Sequence, residues 1–208
     1  MADDPSDLRP DDELLAGISG GDAAALSALF RRRQRDVYGF ALHMTGSAAI
    51  AEDVTQEVFV AVMHDAARFD PSRAAPIAWL CGIARNHVKR RLERDRPKMA
   101  FDIDDLQAET AGPWPDPAGD LDRVRNIDAV RRAVSSLPVR YREVVALCEL
   151  QELSYSDAAT ALGCAVGTIR SRLHRARSLL ASKLSAARGL TGEPARGERS
   201  PRQARCST

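Results

Sequence analysis

The chain has 208 residues, 44% of them hydrophobic but only 5% aromatic, with a formal net charge of +1. That length allows one or two domains, and a core short of aromatics but rich in Ala, Leu and Val suits packed helices. No convincing period-2 apolar run occurs, no apolar run approaches the ~20 residues that span a bilayer, and the acidic start "MADDPSDLRPDDELL" is unlike a signal peptide.

The expected fold class is therefore all-α. Cys81, Cys148, Cys164 and Cys206 are widely spread and form neither CxxC nor a Cys/His cluster of zinc spacing. Reduced thiols in the cytoplasm are the expectation. His43, His64 and the acids and cysteines form no triad, phosphate loop or metal pattern, so no catalytic residue, metal or cofactor is assigned.

Residues 1–10 read as a loose tail. Leu14, Leu15 and Ile18 then give a short helical face. Asp22 is placed to cap a second helix that runs to about Met44, with Leu26, Leu29, Phe30, Val37, Phe40 and Leu42 apolar. A third helix is predicted from Ala48 to about Ala67. Its segment "AEDVTQEVFVAVMHDAARF" sets Val54, Val58, Ala61 and Val62 on one stripe and Glu52, Asp53, Gln56 and Glu57 on another side. Two readings stand side by side: first-turn acids favoured by the helix dipole, or a docking surface for a basic or polar partner helix.

The stretch "FDPSRAAP" breaks the pattern. A fourth helix is predicted from about Ile77 to Arg94, with Ile77, Leu80, Cys81, Ala84 and Val88 buried. Asn86, Lys89 and Arg90 lie off that stripe, and Trp79 shares a side with Asn86 and Arg90. Asn beside cations and an aromatic can read unpaired bases by hydrogen bonding and stacking. Trp79 has an equally plain use as a core residue bridging helices.

Residues 95–120 carry four prolines, and six acids follow Lys98 with no further base, the composition of a flexible acidic linker. Helical periodicity returns over about 121–188, and 189–208 read as a second loose tail. Within "IDAVRRAVSSLPVRYREVVALCELQEL" two helices are predicted, with Pro138 in a first turn and Arg140 and Arg142 as surface or phosphate-facing cations.

In "LSYSDAATALGCAVGTIRSRLHRARSLL", Ser156 is placed to cap a helix over Asp157–Leu162. Gly163 suits a tight turn, and a further helix is expected to begin near Gly167 or Thr168, which is the helix-turn-helix plan. Val166, Ile169, Leu173, Ala176, Leu180 and Leu184 share one stripe of that helix, and Arg170, Ser171, His174, Arg175 and Ser178 cover the opposite side. Charge is polarised along the chain. Residues 1–30 carry −6, while residues 165–188 carry +6 with no acid at all. A helix buried on one face and cationic on the other fits a DNA major groove, where an acid would repel phosphate.

Three segments in this order resemble the extracytoplasmic-function class (group IV) of sigma-70 family RNA polymerase sigma factors. They are "AEDVTQEVFVAVMHD", "IAWLCGIARNHVKRRLER" and "SLPVRYREVVALCELQELSYSDAATALGCAVGTIRSRLHRAR". The resemblance implies two small helical domains, sigma region 2 over 11–94 and sigma region 4 over 121–188, joined by the 95–120 linker.

It implies that Asp53, Gln56, Glu57 and Phe59 bind the polymerase β′ clamp helices. Asn86 would read a flipped −10 base, with the loop Phe69–Ala75, including Ser72, as the pocket wall, and with Trp79, Lys89 and Arg90 beside it. Arg170, Ser171, Arg172, His174 and Arg175 would read the −35 element. The implied partners are core RNA polymerase (β′ clamp helices and β flap), promoter DNA and an anti-sigma factor, with membrane tethering through that last partner and no small-molecule substrate.

The chain departs from the family pattern at Arg90, where many members have Asp, and at "DAA" (Asp157–Ala159) in place of the usual "EIA". Trp114 has no role in the pattern. A rival reading is a helix-turn-helix repressor or activator that works without polymerase.

Overall fold

The computed structural model of the chain describes residues 8–94 and 129–189. The predicted acidic linker and nearly all of both predicted tails lie outside the described residues. The described residues are helical, with no strand among them, in two units.

The first unit opens with α1 (Asp11–Ser19), whose Leu14, Leu15 and Ile18 are buried. A turn through Gly20 and Gly21 leads to α2 (Ala23–Thr45), and the Asp22 carboxylate accepts from the amides of Ala24 and Ala25. That is the predicted cap, and it satisfies two of the orphan N–H groups of a helix start. Asp11 is itself buried, which a carboxylate tolerates only when paired. Arg32 and Arg33 of α2 each reach it at 2.5 Å, which fastens α1 across α2.

Ser47 caps α3 (Ala48–Asp65), which passes through a 3₁₀ turn (Ala66–Arg68) into the loop before α4 (Pro76–Arg94). In that loop Asp70 accepts from both the amide and the hydroxyl of Ser72. Val37, Phe40, Met44, Val54, Val58, Leu80, Ala84 and Val88 fill the space between α2, α3 and α4.

In the second unit α5 covers described residues 129–135, and Leu137 closes its turn. Pro138 does not sit in the first turn of the next helix but immediately before it, as the cap of α6 (Val139–Val145). α6 widens into a π-helical turn over Ala146–Leu150. α7 (Tyr155–Leu162) is capped by Ser154, not by Ser156 as its sequence suggested: the Ser154 hydroxyl accepts from the Asp157 amide. The helix begins two residues earlier because Ser154 has the extended backbone a cap needs while Ser156 is already helical. Gly163 takes the predicted left-handed conformation, φ +63°, and α8 (Val166–Gly189) starts one or two residues ahead of its expected position.

The two units share one continuous apolar core, reaching from Leu14 to Ala176. α7 packs on α4, and α6 meets the end of α2. Arg142, expected at the surface, lies in this junction. Its guanidinium donates to the Met44 carbonyl at the end of α2 (2.6 Å), and to the carbonyls of Ser135 and Leu137. The α2 carbonyls are acceptors without a helical partner, so a cation there meets both the orphan group and the negative end of the helix dipole. The neighbouring Glu143, 3% exposed, accepts from Arg85 Nε of α4 at 2.6 Å.

His43, in the last turn of α2, is affected by the same junction. Burial, and then the positive charge of Arg131, push its pKa from 6.5 down to about 4. The unfolded chain therefore binds a proton between those values that the folded chain refuses, so stability falls as pH drops through 6.5. Moving from pH 7 to 5 is expected to cost the native chain up to about 2 kcal/mol more than it costs His43→Gln. Chemical denaturation of both proteins at the two pH values measures it, and equal losses would refute the assignment.

Candidate nucleic-acid and protein interfaces

The cationic face of α8 is built from its opposite side. Ile169, Leu173 and Ala176 are all but inaccessible, anchored on α6 and α7. With that stripe held down, Arg170, Ser171, His174 and Arg175 stand in solvent, and Arg172 is half-buried at the border. Residues 170 and 174, and 171 and 175, are one turn apart and so lie side by side. Among the described residues no acid pairs with Arg170, Arg172 or Arg175. Arg177, which had no assigned role, differs: Glu149 of the π turn holds it at 2.5 Å and keeps its pKa raised. The sequence alone made these arginines look equivalent. The fold withdraws one and leaves three uncompensated.

α4 shows a second polar face. Asn86 and Arg90 are exposed, and Lys89 is half-buried. Trp79 is half-buried against the core, with its ring tilted 60° to that of Phe69 at 5.5 Å between centroids. It therefore packs, as one of its two readings held, and stays partly exposed. The Ser72 hydroxyl is donated to Asp70 (2.6 Å), whose carboxyl is held below the usual range by that bond and by the Ser72 amide. Ser72 is left with acceptor capacity toward a ligand.

The α3 face is more divided than its sequence suggests. Asp53 and Gln56 are exposed and Glu57 is half-buried. Phe59 lies beneath the surface at 6% exposure, edge-on to Phe30 of α2 at 4.9 Å. Phe30, read as one of the apolar residues of α2, is the exposed member of that pair. The acids are already engaged within the unit. Arg91 of α4 reaches Glu57 at 2.7 Å and Asp53 at 3.2 Å, and His87 Nδ1 lies 2.8 Å from the other Glu57 oxygen. The Arg91 bond, helped by His87, keeps the Glu57 carboxyl below its ordinary pKa.

Sequence reasoning missed Arg91 as the tie between α3 and α4, and also missed two exposed apolar residues, Val60 and Met63. The second signal was available: residues 56, 60 and 63 recur at helical spacing off the buried stripe. Gln56, Val60 and Met63 thus form an accessible strip beside Asp53. Among the described residues no group of His, Cys, Asp or Glu could hold a metal ion, and no helix is long and apolar enough to cross a membrane. Cys81 is fully buried, and burial raises its thiol pKa to about 12, so it is a core residue.

Comparison with known proteins matches the two units separately. The family model for Sigma-70 region 2 covers residues 29–97, and that for Sigma-70 region 4 covers residues 127–180. The ECF RNA polymerase sigma factor SigC of Mycobacterium tuberculosis is 33% identical over 82% of this chain and 91% of its own length. The ECF RNA polymerase sigma factor EcfG of Rhodopseudomonas palustris is 37% identical over 70% of this chain and 77% of its own.

Among solved structures, CnrH in complex with the cytosolic domain of CnrY superposes with a TM-score of 0.64 at 27% identity, covering 85% of this chain and 97% of CnrH. The sigma factor RpoE of Bartonella quintana, in complex with the anti-sigma factor NepR, gives 0.61 at 26%, covering 75% and 94%. Both halves, their order and their helical architecture agree: the chain belongs to the extracytoplasmic-function sigma factors of the sigma-70 family.

Proposed function

We propose that the chain binds core RNA polymerase and directs initiation at promoters that it reads at two separated elements. The supporting observation is the α8 face: three arginines with no acid partner among the described residues stand opposite a buried stripe on the second helix of a helix-turn-helix. Arg170, Ser171, His174 and Arg175 read the −35 duplex, and Arg172 lies at the rim of that contact. Arginine can pair bidentately with guanine, and its neighbours can hold phosphate. On the first unit, Asn86 hydrogen-bonds an unstacked −10 base, Trp79 offers an edge for stacking, Ser72 and Phe69 form the adjoining wall, and Lys89 and Arg90 hold the strand.

The α3 strip of Asp53, Gln56, Glu57, Val60 and Met63, with Phe59 shaping it from below, docks on the polymerase β′ clamp helices, and the second unit engages the β flap. Two modest contacts on one chain gain strength through effective concentration. The protein performs recognition without catalysing a reaction. It acts in the cytoplasm, restrained by an anti-sigma partner through which it can be held at the membrane. A repressor acting without polymerase is not favoured, because the first unit matches sigma region 2 as well as the second matches region 4.

Run-off transcription with core polymerase on genomic fragments, followed by start-site mapping, tests the whole reading: start-site selectivity is expected, and its absence refutes it. Replacing Arg170 or Arg175 with Ala should cost about 1–3 kcal/mol at one promoter base pair. Binding to single-base promoter variants reads this, and a uniform loss over all variants would make the residue a phosphate contact. Asp53→Lys with Glu57→Lys should abolish polymerase pull-down. Helicity by circular dichroism should persist, because ion pairs as solvent-screened as theirs with Arg91 add little to the buried apolar stripe that holds α3. Retained pull-down would remove these acids from the docking surface.

A further inference from the structure

Arg177 lies two turns beyond Arg170 on α8 and so shares its side of the helix, about 10 Å further along the axis. Both residues are exposed, with His174 between them. By position alone Arg177 would extend the cationic row along a phosphate backbone. Its pairing prevents this: Nε and Nη2 both donate to one oxygen of Glu149, at 3.2 and 2.5 Å.

Glu149 reaches α8 from an irregular place. It belongs to the π-helical turn Ala146–Leu150, where the Gln151 amide donates back to the Ala146 carbonyl at 3.0 Å. Such turns are rare, and their wider bonding re-aims the side chains that follow. Tyr155, at the start of α7, acts on the same guanidinium.

The pair adds little to stability. Its side chains are 59% and 39% exposed, so water screens them. α8 is already held by the buried Ile169, Leu173 and Ala176. What the pair changes most is therefore charge. It places an acid at one end of a face that has none in its own sequence, and it cancels the arginine there. Contacts between cations and phosphate supply essentially all sequence-blind duplex affinity, and each adds about 0.9 to the salt slope.

We propose that Glu149 is a restraining residue that keeps Arg177 off the DNA backbone and so holds down sequence-blind duplex binding by the free chain. This rests on the proposed reading of α8 as the −35 helix. Phosphate and Glu149 compete for one guanidinium, and the internal acid has the advantage of being tethered beside it. Arg170, Arg172 and Arg175, which have no acid partner among the described residues, stay available to the promoter. Capture of the chain by bulk DNA is reduced by the contact that Arg177 does not make.

Salt titration of the full chain on a short duplex of random sequence, without polymerase, tests the restraint. Glu149→Gln should steepen the slope of log affinity against log salt by about 0.9, a loss about threefold greater than the native chain's when salt rises fourfold. Arg177→Gln alone should keep the native slope, and Glu149→Gln combined with Arg177→Gln should return to it.

An unchanged slope in Glu149→Gln would overturn the proposal. So would a shallower slope in Arg177→Gln, because Arg177 would then already hold a phosphate. A double variant as steep as Glu149→Gln would overturn it as well, since lost repulsion by the acid would be the cause. Weaker binding by Glu149→Gln would make the pair a support for α8 and not a restraint. If the native chain binds no duplex even at low salt, the −35 reading falls instead.

Discussion

The arrangement of the two units depends on one side chain above the others, the Arg142 guanidinium. It is 4% exposed and, among the described residues, donates to three backbone carbonyls from two units and to no carboxylate. Its Nε has no partner. Burial lowers its pKa to about 10, which still leaves it charged near neutrality. A cation in such a place is costly unless its surroundings are kept in register, because each carbonyl must stay where it can accept. The end of α2, the α5–α6 turn and α6 itself are therefore positioned together.

The distribution of ionic contacts separates structure from recognition. Asp11 is consumed by Arg32 and Arg33, Glu143 by Arg85, Glu57 and Asp53 by Arg91, and Glu149 by Arg177. These pairs align helix with helix. On α8 the pattern stops: among the described residues no acid reaches Arg170, Arg172 or Arg175, which stand opposite the buried apolar stripe. Uncompensated charge on a rigid element is what a polyanion surface can use, because little side-chain pairing must be broken before binding. The near-zero net charge of the chain conceals this, since self-paired and unpaired arginines count alike.

The α3–α4 tie carries a further consequence for the docking strip. Glu57 and Asp53 are oriented by Arg91 before any partner arrives, and His87 fixes the second Glu57 oxygen. Preorientation reduces the ordering cost of association. It also means that part of the acidic character of α3 is spent internally. The apolar residues Val60 and Met63 supply contact area next to the remaining acidic and amide groups.

Local structure was largely legible in the sequence, because it depends on neighbours in the chain. The helical periods over α1–α4, the Asp22 cap, the Gly163 turn and the stripe of Ile169, Leu173 and Ala176 follow from spacing and backbone preference, and all stand in the structure. The α7 cap was misplaced by two residues, since Ser154 and Ser156 have the same chemistry and only the backbone angle distinguishes them. Membership of the sigma-70 family was likewise legible, in three ordered motifs. What needed the tertiary structure was the fate of each charge. Arg142 and Arg170 are the same residue type, yet one is buried between units and the other faces solvent. Phe59 and Phe30 exchange the roles their positions suggested. Spacing along a helix tells which residues share a face, but burial and ion pairing are set by contacts between residues far apart in the chain, such as Arg142 and Met44, 98 positions apart, and no local pattern encodes them.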